Sequence, residues 1–502
     1  MTIDLDRATL AEARTALASG EIGSVELLHA QLDRIDIFNP SVNAVVAFDV
    51  EQATKAAKAA DELQASGAAL PPLHGVPLTV KDTYETAGCV TTAGAPAYAE
   101  HVPDIDADVV AGLRADGAVI YGKTNVPLFA GDHQTYNEVY GLTRNPWDPD
   151  RTAGGSSGGA AVSVACGFSL GEMGSDIGGS IRVPAHFNGL FGLKPSWGVI
   201  SERGHIPGPP GSLATTDLGV MGPLARSAED LGVLLDASLR FGAMKVGGVS
   251  AVPGASLPAA SGADLAGLRV GLWVDDPVAP VDWVTEAAIG AFAATLASAG
   301  AVIDEAARPS IASNDLHDIY SRLLSGVNGA GWPEAVRERF AAATACIDGP
   351  LDAGDPATFS QRLSRDGTAA HASWMSANER RAKAEASWAE LFERVDVMLM
   401  PVSQTQAFEH DTETSYTERR VAVDRGPDHE THRGYHELLF WAGLATMPSL
   451  PSLAMPLGAV NGLPLGVQMV GPRWADRQLI ALASVMSEAA ALDFQAPTLI
   501  TG

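Results

Sequence analysis

Positive charge is scarce in this sequence. Its 502 residues include 33 Lys and Arg against 60 Asp and Glu, so the formal net charge is −27. Binding of nucleic acid by counterion release needs a basic face, and so does docking on an anionic membrane. No stretch has the length of an apolar membrane span. We therefore expect no nucleic acid and no membrane as a partner.

Cysteine is also rare, and the three that occur are Cys89, Cys166 and Cys346. An odd and sparse count excludes a disulfide framework and is typical of a reducing compartment. The first residues lack the basic segment and apolar core of a secretory signal. These observations predict a cytoplasmic protein. Aromatic residues make up only 6%, whereas 52 glycines and 31 prolines indicate many turns.

Short apolar segments alternate with stretches of helical periodicity. Strands are predicted at 76–80, 118–122, 268–273, 395–401 and 463–470. Helices are predicted within 7–65, with Ser24 as an N-cap and an end at Asn39, and at 107–114, 160–165, 284–296 and 315–395. The residues at 245–265 resemble an exposed connection. Such alternation predicts an α/β fold with a mostly parallel or mixed sheet.

Lys81 is the first candidate for chemistry. The sequence holds only seven lysines, and this one ends the apolar strand predicted at 76–80. Burial disfavours an ammonium group and lowers its pKa, which makes a lysine usable as a base near neutral pH. The alternative is a structural lysine that pairs with a neighbour such as Asp82.

Two glycine-rich segments follow, at 154–159 and 174–184. The first has the letters of a nucleophile elbow around Ser156, but 145–151 cannot form the strand that an elbow requires. It also lacks the Gly-Lys-Ser/Thr of a phosphate loop. The second carries small residues whose N–H groups can converge on one oxyanion, with Ser180 beside them as a possible nucleophile. Each segment taken alone is equally compatible with a structural turn.

Lys81, Ser156 and Ser180 together resemble the Ser–Ser–Lys triad of the amidase signature family. Further motifs support the resemblance, namely 73–77, 122–125, 143–148, 189–195, 222–227 and 462–468. It implies an α/β amidase signature fold with a large, mixed, mostly parallel sheet covered by helices on both faces. It also implies a single domain over 1–502, with a core at 8–240, a variable helical region at 300–390 and the rest of the core at 390–490.

The resemblance also implies a role for each site residue. Ser180 forms the acyl-enzyme, Ser156 follows a cis peptide bond and relays the proton, and neutral Lys81 accepts it. The oxyanion hole consists of the N–H groups of four residues: Ile177, Gly178, Gly179 and Ser180. Asp176 and Arg182 hold the loop. No cofactor and no metal are expected.

The expected reaction is hydrolysis of the C–N bond of amides, including anilides and carbamates. The segment 126–137 departs from the pattern of many relatives, and we predict substrate contacts there from Phe129, Ala130 and Gly131. The expected partner is a small neutral amide or carbamate, and the expected state is a monomer or homodimer. The alternative is an amidotransferase A-type subunit that releases ammonia from glutamine in a complex. A non-catalytic scaffold is disfavoured because the triad is complete.

Two other features have two interpretations each. His429, His432 and His436 have helical spacing, which would suit either a metal site or a polar helix that is solvated or lines a pocket. The proline- and glycine-rich segment 203–211 would suit either a lid over the site or a surface loop.

Overall fold

The described part of the chain builds an α/β fold. The structure is a computed structural model that describes residues 3–208, 210–242, 257–344, 356–426 and 429–501. The helices are α1 Leu10–Ser19, α2 Ser24–Val42, α3 Val50–Ala65, α4 Asp108–Ala115, α5 Gly158–Ala165, α6 Arg182–Asn188, α7 Ala228–Gly242, α8 Trp283–Ser298, α9 Ser313–Ala330, α10 Glu334–Thr344, α11 Pro356–Gly367, α12 His371–Phe392, α13 Leu439–Thr446, α14 Asp476–Ala489 and α15 Thr498–Thr501. The strands are β1 Val45–Phe48, β2 Pro77–Lys81, β3 Val119–Thr124, β4 Tyr136–Asn137, β5 Gly141–Leu142, β6 Gly171–Asp176, β7 Phe191–Lys194, β8 Val220–Ala225, β9 Arg269–Leu272, β10 Val302–Asp304, β11 Val397–Pro401, β12 Arg420–Asp424, β13 Glu430–Gly434, β14 Ser452–Val460 and β15 Leu463–Val470.

The largest sheet has eight strands in the order β10-β9-β11-β15-β14-β7-β8-β6. The mixed α/β sheet that the sequence predicts is confirmed, but the predicted excess of parallel pairs is wrong. Only β10–β9 and β9–β11 run parallel, and the other five pairs are antiparallel. One physical reason is the turn between β14 and β15. Asn461 and Gly462 there both have positive φ, 54° and 82°, which suits a tight hairpin.

Helices cover both faces of this sheet, as predicted. Side chains along β11 alternate between two cores. Val397 and Leu399 face the core that contains residues of α7, α8 and α14, whereas Met398 and Met400 face the core that contains residues of α9, α12 and α13. The sheet is therefore buried on both sides, and a polar group at a strand end is shielded from water.

A three-stranded sheet with the order β1-β3-β2 lies beside β6. Side chains join the two sheets at this boundary. The Thr79 hydroxyl donates to Glu172 Oε2 over 2.6 Å, and the Thr79 N–H donates to Ser169 Oγ over 3.3 Å. Because β2 and β6 are held together in this way, their ends at Lys81 and Asp176 lie in the same region.

Helix α2 differs from its prediction at both ends. The N-cap is Gly23, and Ser24 is the first helical residue. The Ser24 hydroxyl donates to Gly75 O instead of capping the helix. The predicted end at Asn39 is wrong because the helix continues through Pro40 to Val42. Pro40 costs this helix one backbone hydrogen bond near its end, and the helix still closes at Asn43, whose N–H donates to Asn39 O.

The remaining predictions stand as follows. The strands predicted at 395–401 and 463–470 are confirmed as β11 and β15, and the helical region at 315–395 contains parts or all of α9 to α12. Residues 245–256 of the expected connection lie outside the described residues, and most of 257–265 is exposed, although Leu257 and Leu265 are buried. Across the described ranges, no helix is both long and apolar enough to cross a membrane. The single domain over 1–502 stays a prediction.

Candidate active site

Lys81 ends β2 with its side chain completely buried. Its Nζ lies 2.8 Å from Ser156 Oγ, 2.9 Å from Ser157 Oγ and 2.9 Å from Ser175 Oγ. The alternative of an ion pair with Asp82 is wrong, because the Asp82 carboxylate instead accepts from the hydroxyl and N–H of Thr92. Lys81 therefore contacts three hydroxyl groups, which hold its amine in one place.

Burial determines the charge of this amine. Desolvation lowers the pKa of Lys81 to about 7, although the negative charges of Asp176 and Glu172 act in the opposite direction. A lysine in water has a pKa near 10.4 and is fully protonated at neutral pH. At pH 7 a large fraction of Lys81 is thus neutral, with a lone pair available to accept a proton.

The loop before α5 presents Ser156 to this lysine. The Gly155–Ser156 peptide bond is cis, as the family resemblance implies. A Cβ on Gly155 would lie 2.4 Å from Asp132 O and 2.8 Å from the carbonyl carbon of His133. Only glycine fits so close to another backbone segment, so the glycine run serves close packing rather than flexibility.

The loop after β6 carries Ser180, and its carbonyl accepts from the N–H of Ser157 over 3.1 Å. This bond ties the loops of the two serines together. Ser180 is only 7% exposed. The structure thus brings the three predicted catalytic residues into one buried region.

The predicted oxyanion donors do not all behave alike. The N–H of Gly179 donates to Asp176 Oδ1 over 2.9 Å, so it supports the loop instead of facing a substrate. In the described ranges, no acceptor takes the N–H groups of Ile177, Gly178 or Ser180. The predicted role of Gly179 as an oxyanion donor therefore does not fit this arrangement, and the other three N–H groups remain the candidates.

Asp176 and Arg182 form a fully buried ion pair below this loop. Burial by itself would raise the pKa of Asp176, but the charge and hydrogen bonds of Arg182 hold it well below its usual range. The guanidinium also donates to three groups of the surrounding core, namely Ala442 O, Gln468 Oε1 and Thr446 Oγ1. As the sequence predicts, the pair fixes the loop.

Four further residues of this region were not predicted. Ser157 and Ser175 hold Lys81, and their motif membership was a signal that could have indicated this. His133 Nε2 lies 2.8 Å from Gly178 O, and the Tyr320 hydroxyl donates to Ile177 O over 2.8 Å. Neither residue belongs to a matched motif, so only the structure indicates them.

The predicted substrate residues Phe129, Ala130 and Gly131 lie in and just after a short 3₁₀ turn. Phe129 is 40% exposed and packs edge-on against Tyr98, with ring centroids 6.0 Å apart. Its N–H donates to Ala93 O. Their contact with substrate stays a prediction, whereas His133 in the same segment reaches the oxyanion loop directly.

The helix predicted around the three histidines is wrong. His432 lies in strand β13, and His436 follows in a 3₁₀ turn. His429 lies before this strand, so the three histidines do not share the face of one helix. His429 and His432 are exposed, whereas His436 is buried. In the ranges that the structure covers, no group of three or more His, Cys, Asp or Glu side chains is placed to hold a metal ion.

The first part of segment 203–211 packs against the chain just after Lys81. Gly204 O accepts from the N–H of Glu85, and the N–H of Ile206 donates to Thr83 O. The ring of His205 lies edge-on to Tyr84, with centroids 5.3 Å apart. Residues 203–206 are therefore part of the wall behind the lysine. Residues 210–215 are exposed, residue 209 lies outside the described ranges, and the lid interpretation stays open for this half.

Comparisons with known proteins agree with this geometry. A family model described as Amidase matches residues 26–480. The A-type subunit of Glutamyl-tRNA(Gln) amidotransferase from Roseiflexus castenholzii is 32% identical over 504 residues, covering 94% of each chain. A solved structure described as an amidase is 29% identical, with a TM-score of 0.75 and coverage of 96% and 99%. The 6-aminohexanoate cyclic dimer hydrolase is 26% identical, with a TM-score of 0.74 and coverage of 99% and 100%. The chain therefore belongs to the amidase family, and it is an amidase signature enzyme that hydrolyses C–N bonds.

Proposed function

We propose that the chain cleaves the C–N bond of an amide through an acyl-enzyme on Ser180. The observation that carries this proposal is the 2.8 Å contact between the buried Lys81 amine and Ser156 Oγ. A buried amine with a pKa of about 7 is suited to general base catalysis, because both of its protonation states are populated near neutral pH. The bond between the Ser157 N–H and Ser180 O supports it further by tying the two serine loops together.

The steps follow from these positions. Ser180 Oγ bonds to the amide carbon while its proton passes to Ser156 Oγ and the Ser156 proton passes to Lys81 Nζ. The amide oxygen becomes an oxyanion that the N–H groups of the loop stabilise. As the C–N bond breaks, the proton returns through Ser156 to the leaving nitrogen, which departs as an amine or ammonia. Water then attacks the acyl-enzyme by the same relay and releases the acid.

Two substrate classes are compatible with this chemistry. Similarity to the amidase and to the cyclic dimer hydrolase supports small neutral amides, with anilides and carbamates as extensions. The curated relatives instead favour glutamine as the amide donor, because those that match over nearly the whole chain are A-type subunits of amidotransferases. In that second candidate function, which these relatives support better, the chain would work within a complex and release ammonia for a partner.

The test compares substrates on the purified chain alone. Ammonia release from glutamine is measured beside hydrolysis of a neutral primary amide, a nitroanilide, a carbamate and a lactam. Turnover of a neutral amide far above that of glutamine supports the first class. Selective release of ammonia from glutamine supports the second, and no turnover of any C–N substrate contradicts the proposal.

Covalent labelling tests the roles of the two serines. A fluorophosphonate should label Ser180, and peptide mapping should find the adduct there and not on Ser156. Ser156→Ala should label more slowly, by about 10²-fold, because the relay to Lys81 is interrupted. An adduct on Ser156 in the unmodified chain would reverse the assignment of nucleophile and relay.

The activity should also depend on pH in a defined direction. Only neutral Lys81 accepts a proton, and its pKa is about 7. Below that pKa, the neutral fraction falls tenfold for each unit of pH, so kcat/KM should fall with it and should level off above pH 7. The measurement is kcat/KM for a neutral substrate from about pH 5.5 to about pH 9. A flat profile across the acidic half would contradict the role of Lys81.

A further inference from the structure

Two carbonyl groups of the oxyanion loop accept hydrogen bonds from side chains outside the catalytic motifs. The Tyr320 hydroxyl donates to Ile177 O over 2.8 Å. His133 Nε2 lies 2.8 Å from Gly178 O, and because a carbonyl only accepts, this nitrogen must carry the hydrogen. Consecutive peptide groups of the loop are thus each held by a separate side chain.

The geometry of the peptide group gives these bonds a consequence. The carbonyl of one residue and the N–H of the next belong to one rigid plane and point in opposite directions when the bond is trans. A donor on Ile177 O therefore fixes the direction of the Gly178 N–H, which is a candidate oxyanion donor. A donor on Gly178 O likewise fixes the Gly179 N–H, which binds Asp176 Oδ1. Hydrogen bonds in such a chain also polarise one another, so the Gly178 N–H becomes a stronger donor.

Both side chains are rigidly placed. Tyr320 lies on α9 and is 1% exposed, and a Cβ on Gly443 of α13 would lie 2.4 Å from its ring. The ring therefore occupies space that only a glycine leaves open. His133 is 4% exposed and lies edge-on to the ring of Tyr435. Burial lowers the pKa of His133, so its ring is neutral at physiological pH.

We propose that Tyr320 and His133 are positioning residues that orient the oxyanion hole from behind, through the carbonyl groups of Ile177 and Gly178. The proposal rests on the acyl-enzyme mechanism and extends it to two residues outside the catalytic motifs. Neither residue takes part in proton transfer. Their contribution is to hold the Gly178 N–H and the Asp176-bound turn ready before substrate arrives, so that no reorganisation is needed as the oxyanion forms.

The principal test is Tyr320→Phe, which removes the hydroxyl and keeps the ring. Loss of one direct oxyanion donor lowers kcat by about 10²-fold to about 10³-fold, so loss of its orienting bond should lower kcat by about 10-fold to about 100-fold. KM should stay within about twofold because the ground-state amide is not yet an oxyanion. Affinity for a trifluoromethyl ketone, which forms a tetrahedral oxyanion on a serine, should fall by the same factor as kcat.

The matched control is Tyr121→Phe. The Tyr121 hydroxyl is also buried and also donates to a backbone carbonyl, that of Phe168, but outside the oxyanion loop. This variant should lose comparable stability and keep kcat within about twofold. If the loss came from removing any buried hydroxyl, kcat would fall equally in both variants, and this result would overturn the proposal.

His133 provides an independent pair of variants. His133→Phe removes the donor and should lower kcat and ketone affinity together, whereas His133→Gln can still donate to Gly178 O and should restore most of both. This pair decides the question if Tyr320→Phe does not fold. If kcat and KM were both unchanged, His133 would have no role in the reaction. If only KM rose, His133 would contact the substrate. Either result would overturn the proposal. Failure of the acyl-enzyme mechanism is separately visible, because the unmodified chain would then form no adduct on Ser180.

Discussion

Replacement of Lys81 by Met should lower kcat/KM by about 10²-fold to about 10⁴-fold, which is the range that general base catalysis contributes. Methionine keeps most of the volume of the buried stem but has no lone pair able to take the Ser156 proton. The fold should persist, because a buried amine is replaced by an apolar group and the Ser157 hydroxyl can still donate to Ser175 O. Steady-state kinetics and the rate of fluorophosphonate labelling measure the loss, and circular dichroism checks the fold.

Lys194→Met is the matched control for this substitution. Lys194 is also completely buried, and desolvation also lowers its pKa to about 7, but its Nζ donates to the backbone carbonyl of Pro195. It has no serine hydroxyl as a partner among the described residues. Activity of this variant should stay within about tenfold of the unmodified chain. If both substitutions reduce activity equally, the loss reflects removal of a buried amine, and the assignment of Lys81 as the base is wrong.

The comparison of the two lysines shows what the sequence can predict about the site. Both end apolar strands, so burial and a lowered pKa follow from position alone. The two lysines differ in their hydrogen-bond partners. Lys81 contacts Ser156, which belongs to a motif that the sequence shows, whereas Lys194 contacts a backbone carbonyl. A motif of this kind identifies the residues that react, because their types and order along the chain are constrained by the chemistry.

The residues that orient the oxyanion loop could not be predicted from the sequence. Tyr320 is separated from Ile177 by 143 positions and lies in a helix without a matched motif. Its role depends on how α9 packs against α13, which the periodicity of either helix does not specify. His133 was close to a predicted substrate segment, yet its ring bonds to Gly178 O, which is 45 positions away in the sequence. Long-range packing of this kind leaves no local pattern.

The errors in the fold have a related origin. Alternating strands and helices predicted parallel pairs, but a hairpin such as that at Asn461 and Gly462 reverses the chain and makes its strands antiparallel. The three histidines have spacing that would suit a helix, yet β12 pairs with β13 and imposes the period of a strand. In both cases the partner of a segment, rather than its own sequence, determines its structure.

Asp176→Asn should lower the free energy of unfolding by about 3 to 5 kcal/mol, because it leaves the Arg182 guanidinium buried without its counter-charge. One carboxylate oxygen becomes an amide NH₂ group, which cannot accept a hydrogen bond. In place of Oδ1 it loses the bonds from Gly179 and Arg182, and in place of Oδ2 it loses those from Ile181 and Arg182. The oxyanion loop then loses its anchor, so kcat should fall as well. Urea unfolding gives the change in stability, and kinetics at a temperature where the variant is folded give the change in kcat.

The exposed pair of Asp236 and Arg477 supplies the control for charge removal. Their side chains are 49% and 32% exposed, and Asp236→Asn should cost at most about 1 kcal/mol of stability.

The pH profile of Asp176→Asn provides a second test, because the negative charge of Asp176 raises the pKa of Lys81. Removal of that charge should therefore move the acidic limb of kcat/KM to lower pH. A stability loss no larger than that of Asp236→Asn, or a limb that moves to higher pH, would show that the buried pair neither holds the loop nor tunes the base.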